Sequence, residues 1–216
     1  MPFWIRHAIA RATYTICWIL LRPVFRFFFD YKVINSHLLR EINTPVIIAA
    51  NHASSLDGFF IGTAFPLFSP VLPIHFATAP EHFWRPHFFP ILWLLGGFPI
   101  YKKIGLESAL RYPLGILKRG GSIGIFPEGK RVIYGRPPRG RRGVAYLSLV
   151  AEAPILPIYI EGSRGMTLRR MLARDIKIRV VVGNPFTLPP ALAHPSALTE
   201  ASEYIMQSVR DVRRDD

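Results

Sequence analysis

Cysteine is almost absent from the 216-residue chain: Cys17 stands alone, so no internal disulfide can close and no cysteine-rich metal site can be built. Cys17 reads as a packing residue. Acidic residues are also scarce. Fourteen Asp and Glu against 27 Lys and Arg leave a net charge of +13, which makes the partner anionic, either nucleic acid or phospholipid. Long apolar runs are missing as well. The stretches 12–21 and 88–100 both fall short of the roughly 18 residues that a membrane-spanning helix needs, so the chain is expected to sit on a membrane and not through it. The basic start and apolar run at the N-terminus look like a signal peptide. Yet no small-residue cleavage site follows, and Arg22, Pro23 and Arg26 interrupt the run. Repeats, linkers and low-complexity tracts are missing too, which leaves one domain.

The residues that are present favour a lipid surface. Half of the chain is hydrophobic and 13% is aromatic. The aromatics cluster in apolar runs between arginines and no nucleic-acid module is recognisable; phospholipid is therefore the expected partner and nucleic acid is not. Residues 1–29 carry Arg6, Arg11, Arg22 and Arg26, no acid, and the rings of Phe3, Trp4, Tyr14, Trp18, Phe25, Phe27, Phe28 and Phe29. Such a segment suits the headgroup zone of a bilayer, where rings tolerate both phases and guanidinium groups meet phosphate. Pro23 is expected to divide it into two helices; packing of that helical pair on the domain is the alternative.

Beyond residue 30, short β-rich runs at 31–34, 46–50, 74–77, 98–101, 122–126, 155–160 and 176–182 alternate with helical stretches at 57–64, 106–119 and 143–151. A final helix at 201–213 has one apolar stripe that packing alone explains. Six prolines between 66 and 90 make that stretch irregular. The run 88–100 reads as buried core by default, with part of an acyl groove as the alternative. The pattern predicts an α/β fold: a single domain (30–216) with a mixed, largely buried sheet flanked by helices, preceded by an N-terminal amphipathic helical membrane anchor (1–29).

Two constellations carry chemistry, each directly after a predicted strand, where α/β sheets place their sites. The first is Asn51, His52, Ala53, Ser54, Ser55, Leu56, Asp57. Five positions along a regular helix turn through about 140°, so His52 and Asp57 meet only if a turn separates them. If they meet, they form a general-base dyad; otherwise Asp57 serves as a helix cap. The second is Phe126, Pro127, Glu128, Gly129, Lys130, Arg131. Glu128 is the single acid among many cations from Lys118 to Arg142, so it is expected to be ionised and structural. The Arg131 fork suits phosphate, whereas Arg136, Arg139 and Arg141 read as a solvated basic loop or a contact to lipid headgroups. A third pattern, Gly120, Gly121, Ser122, Ile123, Gly124, matches G-x-S-x-G. A nucleophile elbow runs strand, Ser, helix, and here the predicted order is reversed.

Taken together, the two constellations resemble the glycerolipid acyltransferase family that includes the lysophosphatidic acid acyltransferases. That family is marked by a His and Asp separated by four residues, here His52 and Asp57, and by an F-P-E-G-x-R block, here Phe126 to Arg131. A glycine-aromatic-basic block resembles Gly97, Phe98, Pro99, Ile100, Tyr101, Lys102, Lys103, and a proline-centred strand resembles 155–160 with Pro157. The likeness spans about residues 31–185. It implies His52 as base, Asp57 as its partner, and Glu128, Gly129 and Arg131 as the site for the acceptor's glycerol phosphate. Lys102 or Lys103 would substitute for the family's arginine in the third block, and Arg142 matches a further basic position. Lys130 stands where threonine is common. No cofactor or metal is implied. The expected co-substrate is an acyl thioester of coenzyme A or acyl-carrier protein, and the acceptor a lysophospholipid, most simply 1-acyl-sn-glycerol 3-phosphate. The expected location is a peripheral one on the cytoplasmic face of a membrane. Two rivals remain: a catalytically silent lipid-binding protein, and a thioesterase or lipase using Ser122.

Overall fold

The computed structural model describes residues 1–101, 104–132 and 139–213. The chain runs α1 (Phe3–Phe29), β1 (Lys32–Ile34), α2 (Leu38–Glu41), β2 (Ile47–Ala50), α3 (Asp57–Ala64), β3 (Ile74–Thr78), α4 (Pro80–Phe83) and α5 (Phe89–Leu94). It continues with β4 (Phe98–Pro99), α6 (Leu106–Leu117), β5 (Ser122–Ile125), α7 (Gly143–Ala151), β6 (Ile155–Glu161), α8 (Leu168–Leu172), β7 (Arg179–Val182) and α9 (Leu198–Asp211). The strands form one sheet in the order β1-β7-β6-β2-β5-β3-β4. Every neighbouring pair is parallel except β6 and β7. The α/β class and the mixed sheet are therefore as expected.

Each predicted strand forms, with shifted ends. The run at 98–101 shortens to Phe98–Pro99, with one further backbone bond from the Ile100 amide to the Thr78 carbonyl at 3.0 Å. The inner strands are continuous apolar runs because helices cover both faces. Along β2, Ile48 and Ala50 join one core with Leu156, Ile158, Val180, Phe60 and Phe29. Ile47 and Ala49 join the other with Ile123, Ile155, Leu110, Leu147 and Ile205. Successive side chains of a strand point to opposite faces. The first core is thus covered by α1 and α3, the second by α6, α7 and α9.

Pro23 does not split the N-terminal segment: α1 is one helix of 27 residues with Pro23 inside it. Pro23 lies on the exposed side, so the carbonyl it leaves unpaired one turn earlier faces outward. Both flanks are tied to the domain. Before it, Tyr14 donates its hydroxyl to the Ile74 carbonyl at 2.7 Å and Trp18 its indole N–H to Phe65 at 2.9 Å. After it, Phe25 and Phe29 pack their rings on Phe60. Continuity changes an expectation, because this single helix is long and apolar enough, by length and composition, to cross a membrane. Its docked face nonetheless packs on α3, α5 and α8, while Trp4, Ile16, Ile19, Leu20 and Phe27 are exposed.

The stretch 65–90 is less irregular than its prolines suggest. Pro80 and Pro90 sit in the first turns of α4 and α5, where a missing N–H costs nothing. The run 88–100 divides. Phe98 is buried, but Phe88 just before α5 and Ile91 and Leu94 within it are exposed, so this helix is not the core element its composition suggests.

Candidate active site

Strands β6, β2 and β5 are adjacent and parallel, so the loops leaving their carboxyl ends meet at one edge of the sheet. The loop after β2 makes the turn that the spacing of His52 and Asp57 requires. Ser54 Oγ accepts the Leu56 amide at 3.1 Å and the Ser54 carbonyl accepts the Asp57 amide at 3.3 Å. Asp57 then opens α3 with its side chain turned back into the loop, fully buried. One oxygen, Oδ2, receives three donors: His52 Nδ1 at 2.9 Å and the Ala53 and Ser54 amides at 2.8 Å each. A carboxylate oxygen already taking two N–H bonds can only accept, so Nδ1 carries the proton and Nε2 is the basic nitrogen. Among the described residues nothing bonds to Nε2.

The imidazole is held flat as well as in register. Its ring stacks on Phe126 with centroids 4.0 Å apart and planes 12° apart, and Phe126 stacks in turn on Phe76 at 5.8 Å. Phe76 reaches this position only because residue 124 is glycine: a Cβ there would lie 2.3 Å from the Phe76 ring. The glycines of the G-x-S-x-G pattern therefore have packing roles. Gly120 and Gly121 amides close α6 on the Leu117 and Ile116 carbonyls, and Gly124 makes room for the ring. Ser122 itself is buried in β5, and among the described residues its Oγ has no hydrogen-bond partner.

The loop after β5 joins the first. The Val132 amide donates to the His52 carbonyl at 2.7 Å, and the His52 amide bonds the Glu128 carboxylate. Gly129 turns the chain with φ +67°, and a Cβ there would strike the Arg141 side chain at 2.1 Å, so the left-handed turn and the close approach both demand glycine. Glu128 corrects an expectation. Instead of being held ionised by surrounding cations, it is only 3% exposed and its pKa is pushed up to about 7, chiefly by burial, with the nearby Asp57 charge adding to the rise. The His52 amide, Arg164 and Arg210 oppose the shift without overcoming it. The loop's own cations, Lys130, Arg131, Arg139, Arg141 and Arg142, are all exposed, with Arg141 lying over Gly129.

His52 and Glu128 line one cleft together with Asn51, Tyr159, Arg164 and Arg210. Asn51 fixes the near wall by exchanging hydrogen bonds with Ile160 on β6, at 2.7 and 3.0 Å. Of the site residues expected from sequence, His52, Asp57 and Glu128 come together, with Gly129 on the adjoining turn. Arg131 stands outside the cleft, where Val132 provides the wall instead. Arg142 is exposed at the start of α7, and Lys102 and Lys103 lie outside the described residues. Arg164 and Arg210 were not anticipated. Arg164 follows β6, so the rule that sites form beyond carboxyl ends of strands would have reached it. Arg210 sits on α9, a helix whose stripe had seemed to need only packing; no local signal marks it.

A family model described as Acyltransferase matches residues 30–161, which includes both loops. The chain belongs to the acyltransferase family. It is similar to the 1-acyl-sn-glycerol-3-phosphate acyltransferase of Bacillus subtilis, 26% identical over 87% of this chain and 92% of that protein. A probable 1-acyl-sn-glycerol-3-phosphate acyltransferase of Mycoplasma pneumoniae is 28% identical over 73% of this acyltransferase, which spans 64% of that relative. The fold matches the crystal structure of the 1-acyl-sn-glycerophosphate acyltransferase from Thermotoga maritima, with a TM-score of 0.68 at 20% identity. That match covers 97% of this chain and 80% of the other. The acyltransferase is thus an enzyme of lipid metabolism.

Proposed function

We propose that this acyltransferase moves a fatty-acyl group from a thioester of acyl-carrier protein or coenzyme A to the hydroxyl of a lysophospholipid, with 1-acyl-sn-glycerol 3-phosphate as the preferred acceptor. The observation that carries the reading is the buried Asp57 oxygen bonded at 2.9 Å to His52 Nδ1. That contact orients the imidazole and leaves Nε2 open at a cleft. The acceptor hydroxyl loses its proton to Nε2 as its oxygen attacks the thioester carbonyl carbon. The C–O bond forms, the C–S bond breaks, and the leaving thiolate takes the proton back from the imidazolium. Asp57 stabilises the transient charge on His52. The relatives' named substrate supports the acceptor assignment.

The proposed location is peripheral, on the cytoplasmic face of a membrane. The open face of α1, with Trp4 70% and Leu20 61% exposed, offers apolar surface and rings to the headgroup zone, while the docked face keeps the helix along the domain. A silent lipid-binding protein has no use for a base aligned this way, and among the described residues no side chain is hydrogen-bonded to Ser122 Oγ. The test is incubation of purified enzyme in phospholipid micelles with labelled acyl thioester and a panel of lysolipids and glycerol phosphates. Transfer is expected to lysophosphatidate and to vanish in His52→Ala; transfer that survives this substitution would overturn the reading.

A further inference from the structure

We propose that Arg164 and Arg210 form the clamp that receives the phosphomonoester of the acceptor. The proposal rests on acyl transfer to a phosphate-bearing lipid. Arg164 comes from the loop after β6 and Arg210 from the end of α9, and both line the cleft that His52 lines. Among the described residues neither guanidinium has an ion pair or a side-chain hydrogen bond. Arg210 Nε is buried without an acceptor. A donor in that state carries a desolvation cost that an incoming anionic oxygen would remove. Guanidinium forks match phosphate oxygens in shape as well as charge. Arg164 is exposed and Arg210 half-buried, and both line the cleft, whereas the cations of the 126–131 loop and of the start of α7 do not.

Reach selects the acceptor over the donor as the source of the phosphate. In 1-acylglycerol 3-phosphate the reacting hydroxyl and the phosphate ester sit on neighbouring carbons, so a base and its anion site must share one small cleft. The phosphates of a thioester donor lie at the far end of its long pantetheine arm, away from the carbonyl. The facing groups also suit an incoming dianion. Asp57 is engaged by three donors, and Glu128, partly protonated near neutrality, meets the phosphate with reduced repulsion and a proton to donate.

The test compares Arg164→Gln, Arg210→Gln and the matching lysine variants with wild type on two acceptors, 1-acylglycerol 3-phosphate and the phosphate-free 1-acylglycerol. Each glutamine variant is expected to raise KM for the phosphorylated acceptor by roughly tenfold or more, the loss of a hydrogen bond between charged groups. Lysine should restore it in part, and KM for the thioester and turnover of 1-acylglycerol should stay within about twofold, as removal of a contact made by phosphate alone requires. An equal rise for both acceptors, or a rise confined to the thioester, would overturn the proposal; the latter would assign the clamp to the donor's phosphates. Calorimetric titration of glycerol 3-phosphate into His52→Ala reads the site without turnover. Binding that is lost when either arginine is also replaced supports the clamp even if no acyl transfer is found, and binding that survives both replacements refutes it. Circular dichroism of each variant confirms the fold before comparison.

Discussion

Asp57→Asn separates the charge of the dyad from its geometry. The Ala53 and Ser54 amides hold one carboxylate oxygen at 2.8 Å, and they select the amide oxygen of asparagine for the same place. His52 Nδ1–H then keeps its acceptor and Nε2 stays basic, but the negative charge is gone. The asparagine NH2 falls where Oδ1 is buried without a partner, so it has no acceptor and the midpoint of unfolding should drop by a few degrees. Coulomb's law at an effective dielectric of 20 gives a unit-charge pair at 2.9 Å about 6 kcal/mol, equivalent to about four decades in rate. Two backbone donors already share that oxygen's charge and a general base contributes roughly 10²- to 10⁴-fold, so the expected loss in kcat is roughly 10³-fold. KM for the thioester should be unchanged. Single-turnover transfer of labelled acyl groups to 1-acylglycerol 3-phosphate measures it. A variant within tenfold of wild type would refute the dyad.

Glu128→Gln should be more stable than wild type at alkaline pH. An acid whose folded pKa lies above its unfolded value binds more protons folded than unfolded, so stability falls as pH climbs from about 4.5 to about 7. Glutamine keeps an acceptor for the His52 amide and escapes that loss, which reaches at most about 3 kcal/mol. Its thermal midpoint should pull ahead of wild type between pH 5 and 8, and parallel curves would contradict the burial argument. Gly124→Ala drives a methyl group into Phe76, so urea unfolding should reveal a cost of about 1–3 kcal/mol. Because Phe76 backs Phe126 and Phe126 backs His52, kcat should also fall by more than about tenfold, as expected of a displaced catalytic group. An unchanged kcat would deny the stack its role. Ser122→Ala removes an unpaired buried hydroxyl, so stability should hold or rise by up to about 1 kcal/mol. Acyl transfer should be intact, and its loss would sink the His52 mechanism.

Much of the fold was legible because its strands are short apolar runs buried on both faces, a pattern set by composition alone. Residues 46–50 and 155–160 could hardly be anything but inner strands. Boundaries were less legible, as where the run 98–101 shortens to Phe98–Pro99. Helix α1 defeated the reading of Pro23 because whether a proline breaks a helix depends on which side it faces and on what holds the flanks, here Tyr14, Trp18, Phe25 and Phe29. Helix α5 defeated the composition rule: Ile91 and Leu94 are exposed and its other apolar side chains only half-buried, which periodicity cannot foretell.

The candidate site divides along the same line. His52, Asp57, Glu128 and Gly129 lie within two short loops whose residue types and spacing carry their chemistry locally, so the sequence by itself determined a base, its carboxylate partner and the family. Tertiary structure decided the charge state and the surroundings. Glu128 is pushed toward neutrality because packing excludes water and sets Asp57 beside it, although the sequence surrounds it with cations. Arg131 has the expected chemistry but does not line the cleft, whereas Arg164 and Arg210, far along the chain, do. Parallel strands bring their loops together, and α9 folds back across the same edge of the sheet. Spacing in sequence reports contacts within a loop; contacts between loops belong to the sheet order.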